Sequence, residues 1–398
     1  MAERRLRRSL SHQGGPVEVA GEPAIARALQ EAMSAPERYP LDDLTHGFHS
    51  YPARMHPAIA RVAVGQLSGA GAQVLDPFCG SGTVLVEAMA AGRRARGVDL
   101  NPLATRIAEV HCAIVGPRAR ARFTATASEI AQASEGRVRQ RVKVRAPLSP
   151  KERALYSPHV LLELAGLWKE IGSVDHRLDR RAFEVVLSSL VVKFSNQESD
   201  TSSGQTERRL RKGLVTEAFH DKAAELVERW QSLADVVPRR TAAVRLFDGD
   251  ARDLPQLMDR RYRADLVLSS PPYGGTYDYH AHHARRYPWL GLSSHRLERE
   301  ELGARRHLSR ASSGGAARWD AQLAAALGSA AAVTAPDGLV VWLIGDGHVG
   351  GRRVDALRQL HALSSGAQLR VVASASQRRP DPHGGRARRE HLIALSPA

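Results

Sequence analysis

Apolar positions follow two different rhythms along this chain, and the change between them predicts its organisation. A short apolar run at residues 74–75 is typical of a buried strand, a glycine turn follows, and residues 84–91 have helical spacing. A second apolar run, Ala95 to Val98, ends on Asp99. Strand, turn, helix and strand in this order form a β-α-β unit, which builds parallel sheets.

Amphipathic helices replace the strand pattern for more than a hundred residues after this unit. Apolar side chains share one face at helical spacing in three segments: Leu161, Leu164, Trp168 and Ile171; Phe183, Leu187, Leu190, Val191 and Phe194; and Phe219, Ala223, Leu226, Val227 and Trp230. A polar and then basic stretch, residues 195–213, separates the last two segments and has the composition of a loop. We therefore predict a helical insertion at residues 117–239.

The strand pattern resumes after the insertion. Apolar runs occur in "AVRLFDGDARDL" and "ADLVLSSPPY", and later in "GLVVWLIGDG", "QLRVVASAS" and "EHLIALS". The last two runs are close in sequence and are expected to pair as an antiparallel hairpin. Residues 46–116 and 240–398 are therefore predicted to form one α/β domain, whereas residues 1–45 show no sustained period and are expected to be a basic, flexible tail.

The charge balance indicates the kind of partner. The 398-residue chain has 57 basic residues against 42 acidic ones, a formal net charge of +15, and a sequence pI of about 10.5. The preference for arginine over lysine can reflect genome composition, but that bias does not explain the surplus over Asp and Glu. An excess of this size favours a polyanionic partner, most often nucleic acid.

Several other classes of protein are disfavoured. Two cysteines make neither a disulfide framework nor a zinc site, and no apolar run reaches the roughly 20 residues of a membrane span. The basic N-terminus lacks the apolar core of a secretory signal. His280, His282 and His283 have no acid or cysteine at ligand spacing, so no metal site is predicted. We expect a cytoplasmic, nucleoid-associated protein with no membrane partner.

The glycine turn in "DPFCGSGT" indicates a nucleoside site. Gly80 and Gly82 lie between a strand and a helix, where glycine allows a tight turn and close approach of a ligand. Asp99 ends the next strand, where an acid can bind both hydroxyls of a ribose. Position 85 is Leu, so the dinucleotide pattern G-x-G-x-x-G is absent, and no Walker lysine follows. A nucleoside without a pyrophosphate, such as S-adenosylmethionine, fits this turn.

The stretch "ADLVLSSPPYGG" ends a strand on two serines, two prolines and a tyrosine. Proline has no N–H for a sheet ladder, so Pro271 and Pro272 stop the strand, and a simple strand end explains them equally well when taken alone. The prolines also fix the backbone, so that a carbonyl beside Ser270 can be held rigidly. The glycine turn on another strand of the same sheet favours this second interpretation.

With both motifs on strand ends of one sheet, the chain resembles the S-adenosylmethionine-dependent amino-methyltransferases, which modify exocyclic amines of nucleic-acid bases. "DPFCGSGT" looks like their cofactor motif, "SPPY" like their catalytic motif, and "HSYPARMHP" like the segment that caps the methionine end of the cofactor. The resemblance covers about residues 46–112 and 240–398. In contrast to many members, this chain has the cofactor motif first and the insertion between the two motifs.

The resemblance implies a class I methyltransferase fold, which is a Rossmann-like, mostly parallel sheet with an antiparallel C-terminal hairpin. It also implies S-adenosylmethionine as the cofactor. The residues implied to bind the cofactor are Met55, His56, Pro57, Asp76, Phe78, Gly80, Gly82, Thr83, Asp99, Asn101, Asp250, Ala251 and Ser269. The residues implied to be catalytic are Ser270, Pro271, Pro272 and Tyr273.

In this family, serine at the first catalytic position goes mostly with N4 of cytosine in DNA, and Asp or Asn mostly with N6 of adenine. The Ser270 hydroxyl and the Pro271 carbonyl would accept hydrogen bonds from the amine and favour its in-line attack on the sulfonium methyl. The target base must leave the duplex, and Tyr273 is expected to stack on it.

Three alternatives remain beside cytosine N4: N6 of adenine in DNA, N2 of guanine in RNA, and an inactive methyltransferase fold that binds nucleic acid. RNA enzymes of this type usually carry a sizeable N-terminal RNA-binding domain, which the short segment before residue 46 does not accommodate. The intact Ser-Pro-Pro-Tyr corner argues against an inactive fold.

Two groups of basic residues are candidates for contact with nucleic acid. Arg208, Arg209, Arg211 and Lys212 lie in the loop of the insertion and meet phosphates if DNA binds, or else form a solvated face. Arg285 and Arg286 are interleaved with Tyr277, Tyr279, Tyr287 and Trp289. Such mixing suits an unstacked strand, and a surface helix packed on the sheet is the equally weighted alternative.

Overall fold

A computed structural model describes residues 15–197, 200, 204, 206, 209–308, 314–379 and 388–398. The strands in these ranges are β1 (Val17–Gly21), β2 (Gln73–Asp76), β3 (Arg94–Asp99), β4 (Arg245–Asp248), β5 (Ala264–Ser269), β6 (Thr334–Gly345), β7 (Gly347–Val349), β8 (Arg352–Val354), β9 (Leu369–Arg379) and β10 (Arg388–Pro397).

The helices before the resumed sheet are α1 (Pro23–Ser34), α2 (Pro57–Leu67), α3 (Thr83–Ala90), α4 (Pro102–His111), α5 (Pro117–Arg139), α6 (Pro150–Arg153), α7 (Pro158–Gly172), α8 (Arg177–Val191) and α9 (Leu214–Val236). The helices that follow β4 in the chain are α10 (Leu254–Leu257), α11 (Tyr279–His283), α12 (Tyr287–Leu290), α13 (His295–Glu300), α14 (Arg305–Leu308), α15 (Gly315–Val333) and α16 (Ala356–Ser364). Within the described ranges, none of these helices combines the length and the apolar character that crossing a membrane requires.

Eight strands form one sheet in the order β1-β9-β10-β6-β5-β2-β3-β4. The strands from β6 to β4 in this order are parallel, because each β-α-β connection returns the chain to the same edge. β10 runs antiparallel between β6 and β9. The predicted fold class and its antiparallel C-terminal hairpin are therefore confirmed.

The carboxyl ends of the parallel strands meet at one edge of the sheet, which we call the carboxyl edge. The glycine turn follows β2, Asp99 ends β3, Asp250 follows β4, and Ser270 follows β5. The segments that the sequence singled out on four separate strands thus converge at this edge. Ligands of open α/β sheets bind at this edge.

Residues 17–34 correct the expectation of a flexible tail. β1 pairs antiparallel with β9, from Val17 opposite Gln377 to Gly21 opposite Ala373. The next helix, α1, packs on α2 and buries Leu29 completely. The pattern was weak in the sequence because β1 is short with mostly exposed side chains, and because α1 uses alanine on much of its buried face.

The helices α5, α7, α8 and α9 pack into a core that is continuous with α4 and α12. The rings of Phe123 and Phe183 stack with centroids 4.1 Å apart, and the Trp230 indole N–H donates to the carbonyl of Val110 at 2.9 Å. Trp289 of α12 is buried in the same cluster. The helical region is therefore anchored on one of the helices that cover the sheet.

The hairpin β7–β8 directly follows β6 and packs against the chain that leaves the Ser-Pro-Pro-Tyr corner. Gly275 has a φ of +68°, and a Cβ there would lie 2.2 Å from the carbonyl oxygen of His348. A Cβ on Gly274 would lie within 3 Å of the side chains of Trp319 and Val349. The glycines after the corner are thus required by this close packing.

We expect Leu29→Ala to lower the free energy of unfolding by about 2–5 kcal/mol, because it leaves a cavity between α1 and its neighbours. Gln30→Ala on the exposed face of α1 is the matched control and should change stability by no more than about 0.5 kcal/mol. Urea unfolding of both variants measures the difference. Equal stabilities of the two variants would mean that α1 contributes no packing and that this segment is a tail.

Candidate active site

A cavity of about 820 Å³, partly open to solvent, lies at the carboxyl edge. Its lining residues come from every strand end named above, from the segment before α2, from α11 and from α13 with the two residues that follow it: Tyr51, Pro52, Ala53, Arg54, Met55, Asp76, Pro77, Phe78, Cys79, Gly80, Ser81, Thr83, Val84, Asp99, Leu100, Asn101, Asp250, Ala251, Ser270, Pro272, Tyr279, Leu297, Glu300, Glu301 and Leu302.

Asp99 is fixed by backbone groups on two neighbouring segments. Its Oδ2 accepts a hydrogen bond from the N–H of Gly80 at 2.8 Å, and its Oδ1 accepts one from the N–H of Asn101 at 2.8 Å. Burial raises the pKa of this carboxyl to about 6, although both hydrogen bonds oppose the rise. Asp99 therefore reaches the cavity with one orientation and with acceptor capacity left for a ligand.

Gly80 leaves room in the wall of the cavity. It has a φ of +50°, and a Cβ at this position would lie 3.0 Å from the ring of Tyr51. Gly82, by contrast, is not among the residues that line the cavity. It caps the start of α3 with a φ of +88°, and its Cβ would lie 3.1 Å from the Cβ of Ala108, so it is needed for packing of α3 on α4.

Asp76 connects the cofactor motif with the strand that bears the Ser-Pro-Pro-Tyr corner, residues 270–273, which we call the catalytic corner because it is the candidate for catalysis. Its Oδ1 accepts hydrogen bonds from the Ser269 hydroxyl at 2.6 Å and from the N–H of Phe78 at 3.1 Å. Burial raises the pKa of Asp76 to about 7, and these hydrogen bonds only partly offset it. Ser269 itself is fully buried and acts on the cavity through Asp76.

The segment before α2 contributes one of the three expected residues to the cavity, and others that were not expected. Met55 lines the cavity, together with Tyr51 and Arg54. His56 and Pro57 are buried at the start of α2, where Nδ1 of His56 accepts from the N–H of Ala58 at 3.2 Å. Their part in the site is therefore to begin the helix, which is what a cap and a proline at the first helical position do.

Asp250 and Ala251 line the cavity beyond β4. The Asp250 carboxylate accepts from Nε of Arg252 at 2.9 Å and from a terminal guanidinium nitrogen at 2.5 Å. Burial opposes ionisation of Asp250, but the hydrogen bonds from Arg252 outweigh it and lower the pKa. Any ligand amine that donates a hydrogen bond to Asp250 must share this carboxylate with Arg252.

The catalytic corner enters the cavity through Ser270 and Pro272. Pro271 is buried behind them. The expectation for Tyr273 needs correction, since its ring lies against the backbone of Gly345 on β6 and its hydroxyl donates to Glu390 at 2.6 Å. Because Tyr273 is tied to β6 and β10 in this way, it supports the corner and does not face the cavity.

An aromatic wall that the sequence interpretation missed stands opposite the cofactor motif. Tyr51 and Tyr279 are stacked with ring centroids 6.1 Å apart. Glu301, which is 3% exposed, accepts from the N–H of Tyr279 at 2.7 Å and from Arg306 at 2.7 Å, and so fixes the start of α11. Tyr51 lies inside "HSYPARMHP", so the sequence could have indicated that it belongs to the site. The sequence around Glu301 contains no such motif, and its partner Tyr279 lies in a different segment.

The residues predicted to contact nucleic acid differ in how far they are exposed to solvent. Arg286 is 3% exposed and bonded to Asp200 at 2.6 Å, and Arg285 donates to Gln197 at 2.6 Å. Tyr287 and Trp289 are buried in the core of the insertion. Arg286 and these two aromatics are therefore interior and pack with the helices of the insertion, which differs both from an unstacked-strand site and from a surface helix packed on the sheet.

The basic loop of the insertion is only partly described. Arg208 lies outside the described residues. Arg209 and Lys212 are exposed, and Arg211 forms an ion pair with Glu217. An ion pair between exposed side chains is weak, so it does not remove Arg211 from the candidates for phosphate contact.

One group of side chains has the composition of a metal site. Ligand atoms of Asp346, Asp355 and His391 lie within 4.8 Å of one another. Asp346 is already bonded to Arg353 and to His391, whose Nδ1 in turn lies 2.7 Å from the Ser376 hydroxyl. Asp355 caps α16. The protein's own groups thus account for these atoms.

Comparisons with known proteins agree with the geometry. Residues 30–110 match the N6/N4 methyltransferase family model, described as DNA methylase. The chain is 37% identical over 78 residues to the type II methyltransferase M.MvaI of Kocuria varians, which is 19% of this chain and 17% of that protein. Over 53 residues it is 49% identical to the tRNA (guanine(10)-N2)-dimethyltransferase of Methanothermobacter thermautotrophicus, or 13% of this chain and 16% of that one.

Among solved structures, the rRNA methyltransferase aviRa from Streptomyces viridochromogenes matches over 91% of this chain and 94% of its own, with 15% identity and a TM-score of 0.35. Each matched segment of the two curated relatives spans less than a fifth of that relative.

The strand order and the cavity at the carboxyl edge define a class I methyltransferase fold. Within that class, the chain resembles the N6/N4 DNA methylase family over residues 30–110, as its motifs predict. The cofactor that this family and fold indicate is S-adenosylmethionine, which supplies an electrophilic methyl group when bound. The residues fit it: Gly80 leaves space that a Cβ would fill, Asp99 can accept from ribose hydroxyls, and Asp76 offers a carboxylate to a cationic ligand.

We expect protonation of Asp99 to lower the affinity for S-adenosylmethionine as the pH drops below about 6, while protonation of Asp76 contributes from about pH 7. Hydroxyl donors favour the ionised form of Asp99, so binding lowers its pKa, and protonation of the free carboxyl competes by at most about tenfold per pH unit. Asp99→Asn should weaken binding at pH 8 by about 1.5–3 kcal/mol and remove this part of the pH dependence. Calorimetry between pH 5 and 8 measures both, and wild-type affinity in Asp99→Asn would refute the assignment.

Proposed function

We propose that the protein transfers the methyl group of S-adenosylmethionine to the exocyclic N4 amine of cytosine in DNA. One observation carries the proposal: Ser270 and Pro272 of the catalytic corner line the same cavity as Asp76 and Asp99 of the cofactor segment. The family match over residues 30–110 and the basic character of the chain support a DNA substrate.

The corner acts by positioning and polarisation. The N4 lone pair of cytosine is delocalised into the ring, so the amine is a poor nucleophile. Two acceptors on its N–H bonds, the Ser270 hydroxyl and the Pro271 carbonyl, favour a tetrahedral nitrogen whose lone pair points at the methyl group. One N–C bond forms as the sulfonium C–S bond breaks, and the amine then loses one proton, which Ser270 can accept while its own proton passes to water.

Tyr279 takes the place that the sequence gave to Tyr273. It lines the cavity, its ring is stacked with Tyr51, and Glu301 holds its backbone. A base flipped out of the duplex loses its stacking partners, and an aromatic platform restores about 1–3 kcal/mol per base. Tyr279 is therefore the aromatic residue that we assign to capture of the flipped base.

Methylation of N2 of guanine in RNA is a second candidate. The 49% identity over 53 residues to a tRNA (guanine(10)-N2)-dimethyltransferase favours it specifically. Mass spectrometry of nucleosides from DNA and RNA treated with the protein and labelled cofactor separates the candidates. N4-methylcytosine supports our proposal, N6-methyladenine changes the target base but keeps the chemistry, and N2-methylguanine replaces the proposal with the RNA candidate.

Ser270→Ala should reduce the rate of methyl transfer about 10²-fold or more, as loss of a transition-state hydrogen bond does elsewhere. Its affinity for the cofactor should remain that of the wild type. Ser269→Ala is a matched control on the adjacent serine, because it removes the bond to Asp76 and should weaken cofactor binding instead. Single-turnover rates and calorimetry separate the two effects. A fully active Ser270→Ala would reduce the corner to a strand end.

Tyr279→Ala should weaken capture of the flipped base by about 1–3 kcal/mol. Tyr273→Phe is the control, since it removes only the hydroxyl that donates to Glu390. Fluorescence of 2-aminopurine placed at the target position reports flipping, and the signal should fall in Tyr279→Ala alone. Because Tyr273→Phe keeps the ring, the original assignment is tested by Tyr273→Ala: a loss of signal in folded Tyr273→Ala with none in Tyr279→Ala would restore it.

A further inference from the structure

Basic side chains gather at one part of the carboxyl edge that contains none of the predicted motifs. We call this group the basic edge: Arg352 and Arg353 on the hairpin β7–β8, Arg378 near the end of β9, and Arg388 and Arg389 at the start of β10. The residues are scattered over residues 352–389 of the sequence, so no charge run marked them as a group.

The register of the sheet places these residues at the same edge as the catalytic corner. Ser269 lies opposite Trp342 on β6, and Gly345, the last residue of β6, lies opposite Glu390 on β10. Arg389 is in turn opposite Arg378 on β9. The start of β10 and the end of β9 therefore lie beside the end of β6, where the hairpin β7–β8 begins.

Acidic neighbours neutralise only some of this charge. Arg353 is paired with Asp346, and Arg389 with Glu18. Arg352 and Arg378 are exposed, and no ion pair joins either one to another residue in the ranges that the structure describes. These two guanidinium groups are therefore available to an anion in solution.

The basic edge is also joined to the cavity. The ring of Tyr277 lies 5.9 Å from that of Tyr279, which lines the cavity. Burial raises the pKa of Tyr277, and the positive charge of Arg388 opposes that rise. The hairpin that carries Arg352 packs on Gly275, just after the catalytic corner. Residues 275–279 thus connect the aromatic wall of the cavity with the hairpin of the basic edge.

The dimensions suit a nucleic-acid strand. β9 is three strand positions from β5, a distance of roughly 14 Å at about 4.8 Å per strand. Phosphates of one strand of a duplex follow each other at about 3.4 Å along the helix axis, so this distance corresponds to about four nucleotide steps.

We propose that the basic edge binds the backbone phosphates of the DNA strand next to the flipped target base. This inference rests on the proposed function, because it takes the target to be a base in DNA. It assigns the main phosphate contact to the part of the carboxyl edge beyond the catalytic corner, where Arg352 and Arg378 are exposed.

The opposite edge of the same sheet offers a matched control. Arg260 and Arg261 lie just before β5, at its amino end, and both are exposed. Replacing them changes the net charge of the protein by the same amount as replacing Arg352 and Arg378. The two double variants therefore differ in the position of the lost charge and not in its size.

The test measures binding of a fluorescent DNA duplex by anisotropy at several salt concentrations, for wild type, R352Q/R378Q and R260Q/R261Q. In R352Q/R378Q we expect the slope of log K against log salt concentration to fall by roughly 1.8, at about 0.9 per lost phosphate contact. R260Q/R261Q should keep the wild-type slope. Calorimetry with S-adenosylmethionine and thermal unfolding verify that both variants are folded, with unchanged cofactor affinity.

A wild-type slope in folded R352Q/R378Q, or an equal fall in both double variants, would overturn the assignment while leaving the proposed function in place. A wild-type protein that binds the cofactor but no DNA duplex would instead refute the proposed function, and the basic edge with it.

Discussion

Two carboxylates, the buried Asp76 and the half-buried Asp99, hold the carboxyl edge of this sheet together. Asp99, at the end of β3, accepts from the backbone of the turn that follows β2, and Asp76, at the end of β2, accepts from Ser269 at the end of β5. Three neighbouring strands are thereby tied at their carboxyl ends. Since Ser270 is the next residue, the position of the catalytic corner depends on the same bonds that shape the cofactor site.

Both carboxylates are held at an electrostatic cost. Burial raises the pKa of Asp76 to about 7 and that of Asp99 to about 6, because hydrogen bonds replace only part of the lost hydration. A ligand that brings hydroxyl donors or a positive charge improves the environment of the ionised form. The two carboxylates therefore favour such a ligand electrostatically, apart from any fit of shape. Their burial lowers the stability of the free protein, which is a common cost of a functional site.

The helical insertion and the hairpin β7–β8 support the catalytic corner from two sides. The aromatic core of the insertion and the Arg286–Asp200 pair hold α12 and the loop after the corner on one side. From the other side, the hairpin β7–β8 packs on Gly274 and Gly275. The corner is thus supported by elements that are distant in sequence, and a rigid acceptor pair is what polarisation of a weak nucleophile requires.

The sequence by itself determined the β-α-β unit, the glycine turn, Asp99 and the Ser-Pro-Pro-Tyr corner, because each depends on local backbone geometry and on short-range periodicity. Only the tertiary structure decided which side chains meet. Tyr273 and Tyr279 are six residues apart and equally aromatic, yet contacts with β6 and β10 turn Tyr273 away while Glu301 holds Tyr279 at the cavity. Likewise Arg286 and Arg352 look alike in sequence, but long-range packing buries one and leaves the other exposed.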